Sequence, residues 1–268
     1  MLLATWEAAY RVVGWKPWVF PAPSHVLDST LSMLNVRTAF GDPVGPNWPR
    51  AKGAAGRAQQ PWYHGELIEA LGVSAVRLLV GFAISIVLGS VLGLLMWRLR
   101  WLDEFLGPVC LGLQTLPSVC WVPLAVILLG LNEQGILFVI VMGSMFAVAI
   151  ALRDGLKTIP PLYQRAGLMM GAKGWRLYRY VLLPASLPAM TSSLRQGFAF
   201  AWRSLLGAEL ILVVARHGIG FLLEMGRNFS DSAQIVAVMI IMVMVGMAVD
   251  RWVFAKLQKR VHARFGLA

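Results

Sequence analysis

The sequence is poor in charged residues, and poorer still in acidic ones. Only 14% of its 268 residues are charged and 58% are hydrophobic, with a mean hydropathy of +0.67, which is too apolar for an ordinary soluble domain. The 13 acidic residues are outnumbered by 24 basic ones. The basic residues gather just outside long apolar runs, a pattern typical of positive-inside loops and not of a nucleic-acid-binding face.

Other shortages exclude most kinds of chemistry. The two cysteines, Cys110 and Cys120, fall within one apolar run, which argues against a disulfide framework, a metal pair or a thiol nucleophile. No phosphate-binding loop and no acid–base dyad is present. We therefore expect no catalytic residue, no metal site and no cofactor in this chain. The four histidines are scattered and suggest no metal cluster: His25, His64, His217 and His262.

Five apolar runs are long enough to cross the ~30 Å hydrocarbon core of a membrane. They are continuous and do not alternate, so each predicts a helix and not a barrel strand. Small residues stand four apart in the first run, which predicts one helix side that a neighbouring helix approaches closely; they are Gly81, Ser85, Gly89 and Gly93. The runs are Leu71 to Trp97, Phe105 to Leu131, Gly135 to Leu152, Pro188 to Val214, and Ala233 to Phe254.

Basic residues orient the chain. The segment between the third and fourth runs holds six of them against the single acid Asp154, so we expect it in the cytoplasm; they are Arg153, Lys157, Arg165, Lys173, Arg176 and Arg179. By the same counting, Arg98, Arg100 and the C-terminal tail lie inside. The segments 132–134 and 216–231 then lie outside.

The N-terminal region fits this counting less simply. Residues 1–20 are short of a clean span, carry no tripartite signal peptide, and precede a segment, 32–69, that the counting puts outside. Three explanations stay open: a partial sixth helix, a start upstream of the first residue, or an external N-terminus; we favour a short or truncated first helix. Residues 41–61, rich in Gly, Pro, Arg and Ala, predict an irregular external loop.

The most informative stretch runs from Tyr163 to Pro188, YQRAGLMMGAKGWRLYRYVLLPASLP. It is too apolar for a solvated loop, so we expect a partner to cover it. Gly171 and Gly174 predict a turn between two short helical pieces, 162–170 and 175–183, because glycine takes positive φ without penalty. Trp175, Tyr178 and Leu182 share a face at helical spacing. An amphipathic hairpin of this kind fits a groove on a partner, and the alternative is an interfacial helix lying on the bilayer.

This stretch resembles the EAA loop of permeases of ATP-binding-cassette importers. The resemblance puts Arg165, Ala166 and Gly167 at the Glu-Ala-Ala, Gly171 at the conserved glycine, and Leu183-Pro184 at the Leu-Pro. Arg165 for Glu and Gly167 for the second Ala depart from the motif. The resemblance implies that the loop couples a nucleotide-binding subunit to the membrane helices. The implied coupling residues are Arg165, Ala166, Gly167, Gly171, Ala172, Trp175, Leu183 and Pro184.

Further features are similar to a narrower subfamily, the permeases for nitrate, sulfonate, taurine and related substrates. Each is weak alone, but they occur in the same order from about Trp6 to the tail. They are FPAPSHVL at 20–27, Ser74, Arg77, Gly81 and Phe82 in one pattern, LPSVCWVPLAVILLG at 116–130, Trp202 with Glu209, Gly218-Ile219-Gly220, and Asp250-Arg251.

The resemblance implies an all-α, polytopic membrane bundle of the type I importer permease kind, with five clear spans and a short N-terminal helix. It implies a multi-pass subunit of the bacterial inner membrane without enzymatic activity of its own. The implied assembly is a homodimer of this chain with two ATPase subunits, which bind ATP and Mg. An external binding protein and membrane lipid are the other implied partners. We divide the single domain, 1–268, into an N-terminal partial helix 1–30, an external loop 41–61, three spans in 71–152, a coupling hairpin 153–187, two spans in 188–254, and a cytoplasmic tail 255–268.

A charge in hydrocarbon costs ~3 kcal/mol or more, so charged residues within the apolar runs are expected to face the protein interior or a water-filled path. Arg195 and Arg203 are eight residues apart, ~12 Å along one helix, and are candidates to line a path for an anion. Glu209 equally suits a structural pair with Arg203. Arg77, near an outer helix end, is expected to snorkel or to join the pathway. The interior arginines favour a small anion such as a sulfonate, taurine or nitrate.

Two other readings of the sequence stay open. An ATP-independent channel or secondary carrier would need no partner ATPase. A scaffold protein would use the hairpin for docking without moving a solute. A neighbouring gene for a P-loop ATPase favours the importer over both.

Overall fold

A computed structural model describes residues 2–13, 20–34, 66–212 and 217–264, and these residues are helical with no strand. The predicted loop at 41–61 lies outside them. The helices are α1 Leu2–Val13, α2 Pro23–Met33, α3 Glu66–Arg98, α4 Arg100–Thr115, α5 Trp121–Leu129, α6 Glu133–Lys157, α7 Pro161–Met169, α8 Leu183–Ile211, α9 Ile219–Asn228, α10 Ser232–Val249 and α11 Ala255–Arg264.

Three of the described helices are long and apolar enough to cross a membrane: Glu66–Arg98, Glu133–Lys157 and Ser232–Val261. The all-α, polytopic class predicted from the sequence is confirmed. Residues 188–211 of the fourth run lie in α8, which has 29 residues but is not among these three. Against the five clear spans predicted, the described residues thus contain three, or four if the bent pair described next is one span.

The second run was predicted to form one helix, and the structure differs. It is broken into α4 and the segment Ser118–Leu129, which are bent by 98° and together count as at most one span. The break lies at Leu116 (ψ 128°) and Pro117 (ψ 133°), which are both extended. Proline disfavours the helical region for the residue before it, so Leu116 leaves the helix.

Two compact units make up the chain, Met1–Val76 with Glu209–Val245, and Arg77–Ala208 with Gly246–Ala268. In the first unit, the segment predicted as one partial N-terminal helix forms two, α1 of 12 residues and α2 of 11. Pro23 begins α2, as suits a residue whose missing N–H would have no partner in a first turn. The first unit also holds α9, a short helix within the predicted external segment 216–231.

In the second unit, α3 packs on α6 through the predicted stripe of small residues. A Cβ added to Gly81 would lie 2.7 Å from Ile140 Cγ2, and one added to Gly93 would lie 2.6 Å from the Ala149 carbonyl oxygen. Between them, Ser144 Oγ donates to Ser85 Oγ at 2.7 Å. The prediction that this stripe serves close helix packing is therefore confirmed, because any larger side chain would meet α6.

Large apolar side chains cover the other side of α3 and are exposed. Val80, Ile84, Val87, Val91 and Leu95 recur at helical spacing on this side. A soluble amphipathic helix buries its large apolar side chains and exposes polar ones, whereas α3 exposes its large apolar side chains and packs its small residues against α6. This arrangement suits a helix with lipid on one side and protein on the other.

Candidate functional site

The first arm of the predicted coupling hairpin is α7, which ends in a glycine turn. Gly171 has φ +82° and Gly174 φ +57°, so the predicted glycine turn is confirmed. The Gly171 N–H donates to the Leu168 carbonyl and the Ala172 N–H to the Gly167 carbonyl, both at 3.0 Å. These two bonds form a Schellman cap, which satisfies the last carbonyls of the helix and requires a left-handed residue at Gly171.

Gly167 is the buried residue of α7, and its lack of a side chain brings the two arms of the hairpin together. A Cβ at this position would lie 2.6 Å from Leu177 Cδ1 and 3.0 Å from Val181 Cγ2. This close approach gives a physical reason for glycine where the EAA motif has its second alanine. The second arm thus packs on α7 through Leu177 and Val181.

The opposite face of α7 points outward. Leu162, Arg165 and Met169 lie ~140–160° around the helix from Gly167, and all three are exposed; Met169 is 89% exposed. The position that corresponds to the motif's glutamate therefore holds a cation, Arg165, between two exposed apolar side chains. We call Leu162, Arg165 and Met169 the outward face of α7.

The second arm of the hairpin runs directly into α8. Residues Trp175–Leu177 form one helical turn, Tyr178–Leu182 a π-helical turn, and α8 follows at Leu183 without a break. Pro184 has no N–H to offer the Tyr180 carbonyl and would clash with it in a regular helix, and the wider turn accommodates both effects. The second arm and α8 therefore form one continuous helical segment. The side chain of Trp175 lies outside the described residues.

Arg195 and Arg203 line the same cavity in the second unit, of about 720 Å³. One wall belongs to α8 and the other to the segment 246–258. Whether this cavity belongs to a transport path stays a prediction. The lining residues are Ser192, Arg195, Gln196, Phe198, Ala199, Trp202, Arg203, Gly246, Met247, Asp250 and Gln258.

Arg195 is ion-paired across this cavity. Its Nε and Nη2 atoms donate to the two carboxylate oxygens of Asp250 at 2.5 Å and 2.7 Å, and Nη1 donates to Gln258 Oε1 at 3.4 Å. Asp250 opens the π-helical turn Asp250–Phe254 between α10 and α11. The bidentate geometry ties α8 to that turn.

Arg203 lies along its own helix. Its Nε donates to the Ala199 carbonyl at 3.1 Å, and its guanidinium carbon lies 4.6 Å from the centre of the Phe200 ring, within cation–π range. These contacts do not include Glu209, which the sequence offered as a partner of Arg203. In the part of the chain that the structure describes, no carboxylate forms an ion pair with Arg203.

Arg77 is buried, in contrast to the expectation that it snorkels at a helix end. It is 5% exposed, and its Nε and Nη2 atoms donate to the carboxylate of Glu133 at 2.7 Å and 2.6 Å. Glu133 is the first residue of α6, where a carboxylate also suits the positive end of the helix dipole. This ion pair connects α3 to the start of α6. It also offsets the free-energy cost of burying the Arg77 charge, which would be far larger without a partner.

Glu209 joins features that the sequence shows separately. In the first unit it is 2% exposed and accepts from Ser74 Oγ at 2.9 Å and 2.7 Å and from the Gly220 N–H at 3.1 Å. Ser74 Oγ in turn accepts from the Ile219 N–H at 2.9 Å. Glycine is required at position 220 because a Cβ there would lie 2.6 Å from Glu209 Cβ. Glu209 thus fixes the start of α9.

Sequence reasoning missed three residues of these sites. Asp250 appeared there as part of a terminal motif, Gln258 as part of the tail, and Glu133 as part of an external loop. A cation within an apolar run needs an acid or water, so Glu133 and Asp250, each near the end of an apolar run, were the signal for partners of Arg77 and Arg195. The sequence alone does not say which acid meets which arginine.

Comparison with known families identifies the chain. Residues 85–263 match the family described as the binding-protein-dependent transport system inner membrane component. The chain belongs to this family. Within it, a putative ABC transporter permease of Methanocaldococcus jannaschii is 32% identical over 187 residues, 70% of each chain. The putative aliphatic sulfonates transport permease SsuC of Escherichia coli is 30% identical over 204 residues, 76% of each chain.

Another relative and a solved structure agree with this assignment. The nitrate import permease NrtB of Synechocystis is 27% identical over 180 residues, which are 67% of this chain and 65% of NrtB. A structure of the MetNI methionine ABC transporter in an inward-facing conformation superposes with a TM-score of 0.63 at 16% identity, over 73% of this chain and 95% of that one. At this identity the likeness shows the fold alone. The predicted ABC permease resemblance is confirmed.

Proposed function

We propose that this family member forms the membrane pathway of an ATP-driven importer for a small anion. Two copies assemble around one pathway in the bacterial inner membrane, and two ATPase subunits bind the hairpins from the cytoplasm. An external binding protein delivers the substrate. The chain itself is not an enzyme; ATP and Mg are bound by the partner subunits.

The outward face of α7 is the observation that carries the coupling role. Its side chains are exposed although two of the three are apolar, and a Schellman cap ends the helix at Gly171. Large exposed apolar side chains gathered on one short helix are typical of a surface that binds a partner. Because the second arm continues into α8, ATPase closure would tilt α8 and switch the pathway between inward and outward access.

The relatives' names support an anionic substrate. SsuC is named for aliphatic sulfonates and NrtB for nitrate, and both substrates are oxyanions with a single negative charge. Arginine binds planar or tetrahedral oxyanions through two parallel N–H donors. Arg195 and Arg203 line one cavity; Arg195 is paired with Asp250, so the guanidinium of Arg203 is the group that suits this class of substrate. Arg77 is buried and paired with Glu133, so its role in the pathway is to hold helices in position. Glu209 has the same kind of role at the start of α9.

The coupling proposal predicts that Met169→Glu prevents assembly with the ATPase. The substitution replaces an exposed apolar side chain of the outward face with a carboxylate, which docking against a partner would have to remove from water. Gln164→Glu is the matched control, because it adds the same carboxylate to an exposed position ~140° away from Met169 on the same helix. The measurement is co-purification of each variant with the candidate partner ATPase, sought among the genes that neighbour this one. We expect the control to retain the ATPase and Met169→Glu to lose it.

A second pair of variants tests the shape of the turn. A Cβ at Gly171 or at Gly112 meets no atom within 4 Å, but only Gly171 has positive φ. Gly171→Val should therefore distort the turn through backbone strain alone, and ATPase activity of the complex in lipid should fall while Gly112→Val retains it. A chain that moves substrate without any ATPase would contradict the importer function and favour a channel or secondary carrier.

A further inference from the structure

The cavity between α8 and residues 246–258 carries one uncompensated positive charge. The ionisable groups that line it are Arg195, Arg203 and Asp250. Arg195 and Asp250 neutralise each other through their bidentate pair. Arg203 has only a backbone carbonyl and an aromatic ring as its described contacts. The cavity therefore has a net charge of about +1, set by Arg203.

The guanidinium of Arg203 keeps its terminal N–H groups for a ligand. Its Nε is used by the Ala199 carbonyl, and stacking against Phe200 holds the plane of the group. The residue is exposed, on a helix that is otherwise mostly apolar. An exposed cation at this position in a membrane protein requires water, a counter-ion or another chain, because hydrocarbon would not solvate it.

Apolar side chains form much of the remaining wall. Phe198, Trp202 and Met247 line the cavity, and the Phe198 ring also packs on Phe254 with centroids 5.1 Å apart. Gly246 leaves room for the indole, since a Cβ there would lie 3.3 Å from Trp202 Nε1. A volume of about 720 Å³ lies within the range of cavities that hold small organic ligands, ~300–1,000 Å³.

We propose that this cavity binds an organic monoanion with an apolar tail, of the alkanesulfonate kind. Arg203 contacts the anionic head, and Phe198, Trp202 and Met247 contact the tail. Asp250 is a positioning residue, which sets the charge of the site by neutralising Arg195. A fully hydrated inorganic anion such as nitrate would leave the apolar wall unused. The inference rests on the proposed function, because it names the substrate class of that pathway.

The first test compares ligands of equal charge and different tail length. The wild-type chain is purified with its ATPase in lipid nanodiscs, and binding of ethane-, propane- and butanesulfonate and of nitrate is measured by calorimetry without binding protein. We expect affinity to rise by up to about fourfold for each added methylene that is buried, with nitrate weakest. Nitrate binding as tightly as butanesulfonate, or no dependence on tail length, would overturn the organic class.

Charge variants test the division of labour between the two arginines. Arg203→Gln should weaken butanesulfonate binding by at least about tenfold, the ratio for one lost charge-assisted hydrogen bond. Arg195→Gln should also weaken it, because Asp250 then cancels Arg203. Asp250→Asn should strengthen it, because the net charge becomes about +2. The double variant Arg195→Gln/Asp250→Asn should return close to wild type, which a purely structural ion pair would not do.

Controls keep the test decisive. Arg251→Gln makes the same substitution beside Asp250 but outside the cavity lining, and should leave binding unchanged. Arg203→Lys keeps the charge without the planar fork, so an intermediate affinity is expected even if Arg203→Gln yields no monodisperse complex. Weakened binding in Asp250→Asn, or unchanged binding in both Arg203 variants, would overturn the proposal.

Failure of this inference is distinguishable from failure of the proposed function. Each preparation is also tested for retained ATPase and for ATP-driven uptake with the binding protein present. Retained ATPase and uptake with a sulfonate affinity indifferent to Arg203 would overturn the cavity assignment alone. Absence of ATPase from the wild-type preparation would overturn the importer function itself.

Discussion

Gly89→Leu is expected to destabilise the protein by about 3 kcal/mol or more, the upper range for overpacking a close-packed interior. A Cβ at this position would lie 2.6 Å from the Met145 carbonyl oxygen and 2.9 Å from Val148 Cβ. The first of these atoms is backbone of α6, which cannot turn aside as a side chain can. The helices α3 and α6 would have to separate along the stripe of small residues.

The measurement is thermal unfolding in detergent, followed by the loss of the monodisperse size-exclusion peak. Gly112→Leu serves as control: it adds the same side chain to an exposed position of α4 where a Cβ meets nothing within 4 Å. We expect the control to unfold near the wild-type temperature. Equal midpoints for the two variants would show that the contact of α3 with α6 does not limit stability.

Glu209→Ala is the second substitution with a large expected effect. It removes the acceptor of the Ser74 hydroxyl and of the Gly220 N–H, and each buried donor left without a partner costs ~1–3 kcal/mol. With the cavity left behind, the total expected loss is about 3 kcal/mol or more. The start of α9 should loosen first, so its amide hydrogens should exchange faster than those of α6.

Two variants separate the carboxylate network from a general effect of charge. Glu209→Gln keeps a carbonyl oxygen for one of the donors and should lose only part of the stability. Glu104→Ala removes an exposed carboxylate whose partner, Arg100, is also exposed, so a loss of less than about 1 kcal/mol is expected. If Glu209→Ala unfolded at the same temperature as Glu104→Ala, the network would not stabilise the fold.

Several features of this permease are predictable from local signals. The apolar runs are helical, apart from the break at Leu116–Pro117 in the second, because ~20 apolar residues have few other ways to satisfy their backbone in lipid. Gly171 and Gly174 end the first arm of the hairpin because positive φ is available to glycine at little cost. The stripe from Gly81 to Gly93 predicts a closely packed helix because only small side chains permit such an approach.

Partnerships between distant residues escape this reasoning. Glu209 was a candidate partner of Arg203, yet its described partners are Ser74 and Gly220. Arg77 suited a snorkelling residue, yet it pairs with Glu133, 56 residues away. Spacing along one helix says which way a side chain points, but the identity of its neighbour depends on which helix packs there.

The sequence alone determined the class of the protein, the positions of its long apolar segments and the glycine turn of its hairpin, because these follow from solvation of the backbone and from local conformational freedom. The tertiary structure alone decided that the second apolar run bends by 98°, and that Asp250 neutralises Arg195 while Arg203 keeps its charge. Those outcomes depend on contacts between segments far apart in the chain, where several acids compete for each arginine and only packing selects one.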